Sequence, residues 1–528
     1  MTPTSDPELI DTPDQPLLNQ PIAAIDLGSN SFHMVVAQVQ QQQMQIIDRH
    51  KEMVRLGGGF DADNALTPAA RQAALDCLSR FGERLAGFAP GTVRAVGTNT
   101  LRRARNTKNF LSQAEAALGH PIDVISGIEE ARLIYQGVRH DVSSQQPQRL
   151  VMDIGGGSTE IILGHEAEPL LLNSLYMGCV SYSQTYFKQG QISKTSFQQA
   201  VTAAMQELEP VAARYKASGW NVALGTSGTI NTIAKIIDQQ DLISRKALNR
   251  YEQTLQPTLI TRHALDRLVD QALAFKQVDK IQFDGLSAER QPVFIGGLAI
   301  LVGLFNSLDI EYCQTSKSAL REGLLYELWG RIEHRDIRQL TIDNMAQRFR
   351  IDQTQAQRVR ETALQLLQQR ARDEQSLLHP QQASNQELLS WAATLHEIGL
   401  IVAHSQYHKH GAYLLDHADM PGFSQQEQHL IAVLISSHRR RFKTDVIAHL
   451  PSDLQRRITR LAVLLRLAVI LCRDRSDQIL PALQITSDQK TWTLSFPERW
   501  LETHPLTAAD LMTETEKLRS ADIQLSLN

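Results

Sequence analysis

The spacing of hydrophobic positions changes twice along this 528-residue chain. From Ile22 to about Gln136, short apolar runs alternate with segments of helical period. The runs at 22–27, 32–39 and 44–50 predict strands, with the polar "QQQQ" at 40–43 as a hairpin tip. Thr67-Pro68 joins a capping residue to a first-turn proline and predicts a helix to about Ala86. "TVRAVGT" and "IDVIS" predict strands on either side of a basic helix that begins near Thr100. The alternation restarts at Arg149. Strands flank Gly155–Gly157, a long helix runs from Lys194 to Ser218 and stops at Gly219, "NVALGTSGT" follows, and "FIGGLAILVGLF" predicts an apolar helix behind a Gly-Gly pair. Strands alternating with helices predict an α/β fold. Residues 21–136 and 137–318 read as two copies of one α/β half-domain. Beyond them the helical period persists to about Arg475, predicting an all-helical domain over 319–480, and 481–528 returns to a small α+β pattern. Residues 1–20 are rich in Pro, Asp and Gln and read as a disordered tail, not a signal peptide.

Inside both half-domains one grammar recurs. "IAAIDLGSNSFHMVVA" and "LVMDIGGGSTEIIL" each run apolar strand, Asp, glycine turn, small polar residues, apolar strand. An acid at the end of a buried strand is costly unless it has a partner or a task. Glycine turns let backbone N–H groups form a concave anion nest. Gly28, Ser29, Asn30 and Ser31 form one such wall for phosphate, and Gly155, Gly156, Gly157 and Ser158 the other; Gly225, Ser227 and Gly228 of "GTSGT" offer a third. No GxxxxGK[ST] occurs, so this is not a Walker loop. Asp153 and Glu160, on either side of one turn, suit a hard divalent cation held against phosphate. Glu129 and Glu130 open a helix at the cleft edge, where a carboxylate could activate water. Arg102, Arg103, Arg105 and Lys108 cluster at a helix start, with one Arg expected to point inward to phosphate.

Composition narrows the partners. With 53 Lys and Arg against 57 Asp and Glu, the net charge of −4 leaves no basic excess for nucleic acid. Four scattered cysteines, without a CxxC, fit a reducing cytoplasm. The stretch Leu461–Leu471 is broken by Arg466 and too short to span a bilayer, which leaves peripheral attachment at the inner face of a membrane open. In the helical region, His396, Glu397, His404, His408 and His410 invite a metal reading, but surface and packing histidines are the commoner use. The clusters Arg439, Arg440, Arg441, Lys443 and Arg456, Arg457 could be solvated faces or line a track for a long phosphate chain.

Together "AAIDLGSNSFHM", "TNTLR", "ISGIEEARLIY", "VMDIGGGSTEI", "MGCVS", "GTSGT", "GLAIL", "ALREGLLYE" and "LHEIGL" resemble the exopolyphosphatase / guanosine pentaphosphate phosphohydrolase family, across the chain from residue 21 on. The resemblance implies two ribonuclease-H-like half-domains of the actin-like ATPase superfamily that clamp phosphates, then a helical domain like the HD phosphohydrolases. It implies Glu130 as general base, Arg102 on phosphate, Mg²⁺ (or Mn²⁺) at Asp153 and Glu160, and a homodimer. In the HD-like region His396-Glu397 stands for the expected His-Asp and Val469 for the final Asp, so that metal site reads as lost. "GGGS", where the pentaphosphate branch tends to "GGAS", and the "HSQYHKHGAYLL" and "SSHRRR" segments favour processive cleavage of inorganic polyphosphate. Guanosine pentaphosphate is the alternative, ahead of a superfamily kinase or an alarmone sensor.

Overall fold

The computed structural model describes residues 20–40, 43–61, 63–141, 147–243, 259–332, 337–369, 383–476, 480–487 and 491–528. The expected N-terminal tail and the middle of the "QQQQ" tip lie outside these residues. The chain divides into two compact units, Met1–Arg335 and Asp336–Asn528.

The first unit holds two sheets. One has the order β3-β2-β1-β4-β5, from β1 (Ile22–Leu27), β2 (Phe32–Gln40), β3 (Gln43–Glu52), β4 (Val93–Gly97) and β5 (Ile122–Val124). The other has the order β10-β11-β9-β6-β7-β8, from β6 (Gln148–Ile154), β7 (Thr159–His165), β8 (Glu168–Leu175), β9 (Val222–Thr226), β10 (Leu259–Thr261) and β11 (Tyr312–Thr315). In both, the Asp-bearing strand pairs antiparallel with its hairpin neighbour and parallel with a crossover strand. The duplicated grammar is therefore a duplicated topology, with β10 added at one edge.

The helices are α1 (Pro68–Leu85), α2 (Asn99–Arg103), α3 (Thr107–Leu118), α4 (Gly127–Asp141), α5 (Cys179–Tyr186), α6 (Lys194–Ser218), α7 (Ser227–Gln239), α8 (Arg262–Ala274), α9 (Gln291–Leu308) and α10 (Leu320–Ile332). Strand alternation decides which way each aspartate points. Ala23, Ile25 and Leu27 pack with α1 and α3, whereas Ile22 and Ala24 face α4 and α10. Asp26 shares the parity of the second set. Likewise Leu150, Met152 and Ile154 join the core around α6 and α9, and Val151 joins the inner core with α4 and α10, so Asp153 faces inward too. Two expected domain borders move. The break at 136/137 falls inside α4, and α10, expected to open the helical domain, packs on α4 within the first unit. Helical period marks an apolar face without saying which core will bury it.

The "FIGGLA" glycines serve packing: a Cβ on Gly296 would lie 2.5 Å from Ser183 Oγ, and on Gly297 2.3 Å from Thr229 Cγ2. Their helix α9 is, among the described residues, the one long and apolar enough to cross a membrane, but it is largely buried inside the unit.

The second unit is helical, with α11 (Ile337–Arg348), α12 (Gln353–Gln368), α13 (Asn385–Leu395), α14 (Tyr407–His417), α15 (Gln425–Ser437), α16 (Thr444–Ala448), α17 (Ser452–Leu471), α18 (Trp500–Thr503) and α19 (Pro505–Arg519). Strands β12 (Gln484–Ser487), β13 (Thr491–Ser495) and β14 (Gln524–Leu527) form a small sheet in the order β12-β13-β14. Ile485, Trp492, Leu494 and Leu525 of this sheet share one apolar cluster with the helices, so no separate core begins at 481. Arg466, which interrupts the apolar run of α17, is buried against Glu514 of α19 and donates to the Arg440 carbonyl at 2.6 Å.

A close crossing of α4 and α10 ties the two half-domains together. A Cβ on Gly137 of α4 would lie 2.2 Å from the Ala319 carbonyl oxygen, and one on Gly323 of α10 1.8 Å from that of Leu133. Gly323→Ala must push α4 and α10 apart, and overpacking of this kind costs about 1–3 kcal/mol. Scanning calorimetry should show a melting temperature several degrees lower; an unchanged value would mean the helices can separate freely.

Candidate active site between the two half-domains

The two Asp-Gly turns are built alike. A Cβ on Gly28 would meet the Ser31 carbonyl oxygen at 3.0 Å, and one on Gly155 would meet that of Ser158 at 3.0 Å. The turns also touch each other. A Cβ on Gly156 would sit 2.9 Å from Ser29 Cβ, and one on Gly157 2.5 Å from Asn99 Oδ1. Here glycine is needed because side chains of the other half-domain occupy the space a Cβ would take. Thr100 donates to Ser29 Oγ at 2.8 Å, and Gly57 N–H donates to the Ser29 carbonyl at 2.7 Å, which fixes the first turn from behind.

Between the turns lies a cavity of about 250 Å³, bounded by Gly28–Ser31, Gly155–Ser158 and the start of α7. At that start Ser227 adopts a left-handed backbone (φ 79°), and its buried hydroxyl has no hydrogen-bond partner among the described residues. Strain of this kind persists only where the surroundings enforce it. Gly228 leaves room for the Arg290 guanidinium, which would lie 1.7 Å from a Cβ there. Gly225, expected to bind phosphate, does not line the cavity. It is buried in β9, where Ile230 and Cys313 fill the space of its missing side chain.

Carboxylates gather on one side. Asp26, Glu130 and Asp153 line the cavity, and Glu160 is buried behind them, accepting from Ser174 Oγ at 2.7 Å. Asp153 and Glu160 are direct partners in the β6–β7 ladder. Asp153 is pushed up to about 7, first by burial, then by Glu130 and Asp26. Asp26 also rises to about 7 through burial, opposed by Arg321. Burial raises Glu160 well above the usual range, and raises Glu130 against the pull of Arg102. Cations stand in the same cavity: Lys51, Arg290, Lys317 and Arg321. His33, opposite Asp26 in the β1–β2 ladder as Glu160 is opposite Asp153, is bonded to Ser31 Oγ at 2.8 Å. Its pKa falls well below the usual value through burial and the nearby Arg321 and Lys51, so it stays neutral.

The "EEAR" acids separate. Glu129 points away, bidentate to Arg132, inside a buried network in which Glu327 also joins Arg94 at 3.3 Å and Arg331 at 2.9 Å. Glu130 faces the cavity, and Arg102 donates to its Oε2 at 2.9 Å and to the Ile125 carbonyl at 2.9 Å. Arg102 is thus the inward arginine, but it holds Glu130 and is not part of the cavity wall, against the expectation that it faces phosphate. Asp26, His33 and the four cations were not among the expected site residues. The duplicated grammar pointed to Asp26; nothing local in the sequence marks Arg290, Lys317 or Arg321, which reach the cavity from distant segments.

This arrangement sets three turns of small residues beside a buried carboxylate. Residues 35–332 match the model of the Ppx/GppA phosphatase family and residues 337–515 that of Ppx/GppA phosphatase, domain III. The chain belongs to the Ppx/GppA phosphatase family. Among its curated relatives, the guanosine-5'-triphosphate,3'-diphosphate pyrophosphatase of Aeromonas hydrophila is 39% identical over 94% of this chain and 97% of that protein. The protein of the same name from Pseudoalteromonas translucida is 40% identical over 96% of this chain and 98% of its own. Among solved structures, an exopolyphosphatase from Cytophaga hutchinsonii aligns with TM-score 0.53 and 25% identity, over 60% of this chain and 98% of that one.

In the domain III region of this Ppx/GppA chain His396, His408 and His438 are buried, whereas His404 is exposed and His410 half-buried. His396 donates through Nδ1 to the Ala393 carbonyl at 2.7 Å, and His438 to that of Ile435 at 2.6 Å. Their rings lie 5.7 Å apart, and burial lowers the His396 pKa to about 4. Glu397 pairs with Arg475, which also binds Asp352 at 2.9 Å. Two of the expected track residues are committed elsewhere. Arg457 donates to Asn385 Oδ1 at 2.7 Å and to the Ala383 carbonyl, and Arg439 covers the Tyr407 ring at 4.3 Å. Arg440, Arg441 and Arg456 are exposed, and Lys443 is half-buried.

The carboxylate cluster makes a pH prediction. With its pKa raised from the ordinary range near ~3.9 to about 7, folded Asp153 keeps a proton that the unfolded chain has lost. This carboxyl's contribution to stability is therefore lost as pH rises from about 4 to about 7. Asp153→Asn has no proton to lose. Its melting temperature relative to wild type, in metal-free buffer, should climb across that interval; a constant difference would show that Asp153 is not perturbed.

Proposed function

We propose that this chain hydrolyses the terminal phosphoanhydride of guanosine-5'-triphosphate,3'-diphosphate, releasing orthophosphate. The observation that carries the chemistry is Glu130, fixed by Arg102 beside a cavity whose walls are glycine nests. Its pKa is raised by burial, which suits a general base working near neutral pH. Glu130 takes a proton from water as the water oxygen attacks the terminal phosphorus. The bridging P–O bond breaks, and the leaving diphosphate departs as an oxyanion. The turns Gly28–Ser31 and Gly155–Ser158 hold the phosphate oxygens, and Arg290, Lys317 and Arg321 offset their charge. The unpartnered Ser227 hydroxyl is a further donor.

A hard divalent cation fits the acidic side. Mg²⁺ characteristically takes one or two carboxylates together with waters and phosphate oxygens. Among the described residues no three His, Cys, Asp or Glu side chains form a ligand set, but Asp26 and Asp153 both line the cavity with strongly raised pKa values. These two would hold the ion; Glu160, buried and bonded to Ser174, would support Asp153. Bound there, Mg²⁺ would neutralise charge on the phosphates.

The curated relatives favour the nucleotide over inorganic polyphosphate, because they match almost end to end. The "GGGS" turn and the His- and Arg-rich segments, which pointed to polyphosphate, are a weaker guide. Polyphosphate remains the second reading, supported by a clamp that needs only phosphate and by the likeness to the Cytophaga hutchinsonii exopolyphosphatase.

Two measurements test this. Glu130→Gln should keep the fold and lower kcat by about 10²–10⁴; a rate near wild type would remove Glu130 as the base. The wild-type protein with Mg²⁺ should show a higher kcat/KM for guanosine-5'-triphosphate,3'-diphosphate than for long-chain polyphosphate; the reverse order would install the second reading.

A further inference from the structure

One cavity of the first unit has the opposite character to the phosphate cleft. It measures about 300 Å³ and is lined by residues of α5 and α6 and by Tyr176, which follows β8. Three phenol rings stand around it, Tyr176, Tyr182 and Tyr186, with Gln206 and Glu207 on the α6 side. Among the described residues no Lys, Arg or His lines it. The phosphate cleft, by contrast, gathers Lys51, Arg290, Lys317 and Arg321.

The fold does not use these groups to hold itself together. Tyr176 is 79% exposed, so its ring adds nothing to the core. Tyr182 and Tyr186 are one turn apart on α5, with ring centroids separated by 5.2 Å and planes inclined at 57°. The three phenol hydroxyls and the exposed Glu207 carboxylate have no hydrogen bond or ion pair among the described residues. Burial raises the Tyr182 phenol, and Tyr186 and Glu207 raise it further. The faces of aromatic rings carry negative charge density. A carboxylate beside three such rings, with no cation in the wall, repels phosphate and attracts an organic cation. A neutral ring could stack on the tyrosines, but it would bring Glu207 no counter-charge. The space is also larger than one ammonium group needs, since a water-sized group takes roughly 30 Å³. The remainder suits a chain of methylenes lying along the rings.

We propose that this cavity is a binding site for an aliphatic polyamine. One ammonium group pairs with Glu207 against the faces of Tyr182 and Tyr186, and the methylene chain runs along Tyr176. The site sits on the helix that backs the second glycine turn: the N–H groups of Cys179 and Val180, which open α5, donate to the Gly155 and Gly156 carbonyls, each at 2.9 Å. An amine that bridges α5 to α6 steadies that helix and, through it, the turn. The meaning of this link for catalysis rests on the function proposed above; the site itself does not.

The test uses the full chain, with spermidine as the probe. Isothermal titration, at an ionic strength that screens surface charge, should show one site per chain. Glu207→Gln should weaken it about tenfold, as the loss of a charge-assisted partner, and Tyr176→Ala about threefold, as the loss of one exposed cation–π contact. Both positions are exposed, so both variants should fold. Hydrogen exchange then locates the ligand. Spermidine should slow amide exchange across residues 176–186 and in the Gly155–Ser158 turn of wild type, and not in Glu207→Gln. Equal affinity in wild type and both variants, or protection confined to other segments, would overturn the site. Protection of 176–186 without the turn would overturn the link to the phosphate cleft. Because neither measurement contains substrate, failure of the hydrolytic reading would leave both outcomes decisive.

Discussion

Burying like charges together is the constraint around which the N-terminal unit is arranged. Burial raises the pKa values of Asp26, Glu130, Asp153 and Glu160, and Glu130 adds its repulsion to the other three. Without partners such a cluster would be protonated or would open the fold. Arg102 satisfies one acid, Arg321 opposes Asp26, and Arg321 and Arg290 oppose Asp153. A cavity that sets raised carboxyls beside basic side chains suits a cation and a polyanion together. That is the physical argument for a metal–phosphate substrate, and it needs no motif.

The frame follows from that demand. Two copies of one sheet topology each deliver an aspartate by strand alternation and a glycine turn at the strand end. Neither sheet alone can build the cavity, since the Cβ-free faces of Gly156 and Gly157 are filled by Ser29 and Asn99 of the other half. The helix that carries Glu130 is locked against α10 through Gly137 and Gly323, and the first turn of α10 carries Arg321. Glu130, Arg321 and the half-domain spacing therefore share one packing contact.

Much of this was legible in the sequence because it is local. Apolar runs bounded by Asp-Gly turns mark β1, β2, β6 and β7, and the third glycine motif lands at the α7 start beside Ser227. The choice of Glu130 over Glu129 came from resemblance; its physical reason is tertiary, since Glu129 faces Arg132 and the Glu327 network. What could not be read is set by long-range packing. Gly225 has the same local grammar as a phosphate glycine but lies inside β9. Arg102 has the chemistry to bind phosphate but is used by Glu130. The allegiance of α10 depends on a Gly–Gly crossing between residues 186 positions apart in the chain (323 − 137). The preference for a polyphosphate substrate rested on one turn residue and on surface charge, both weaker indicators than relatives matched along nearly the whole chain.

The central claim is that water activated in this cleft attacks the terminal phosphorus of a nucleotide. Hydrolysis of guanosine-5'-triphosphate,3'-diphosphate in ¹⁸O-water, followed by mass spectrometry of both products, tests it most directly. The account predicts one ¹⁸O in the released orthophosphate and none in guanosine-5'-diphosphate,3'-diphosphate. Label in the nucleotide product, or a nucleotide left intact, would contradict it.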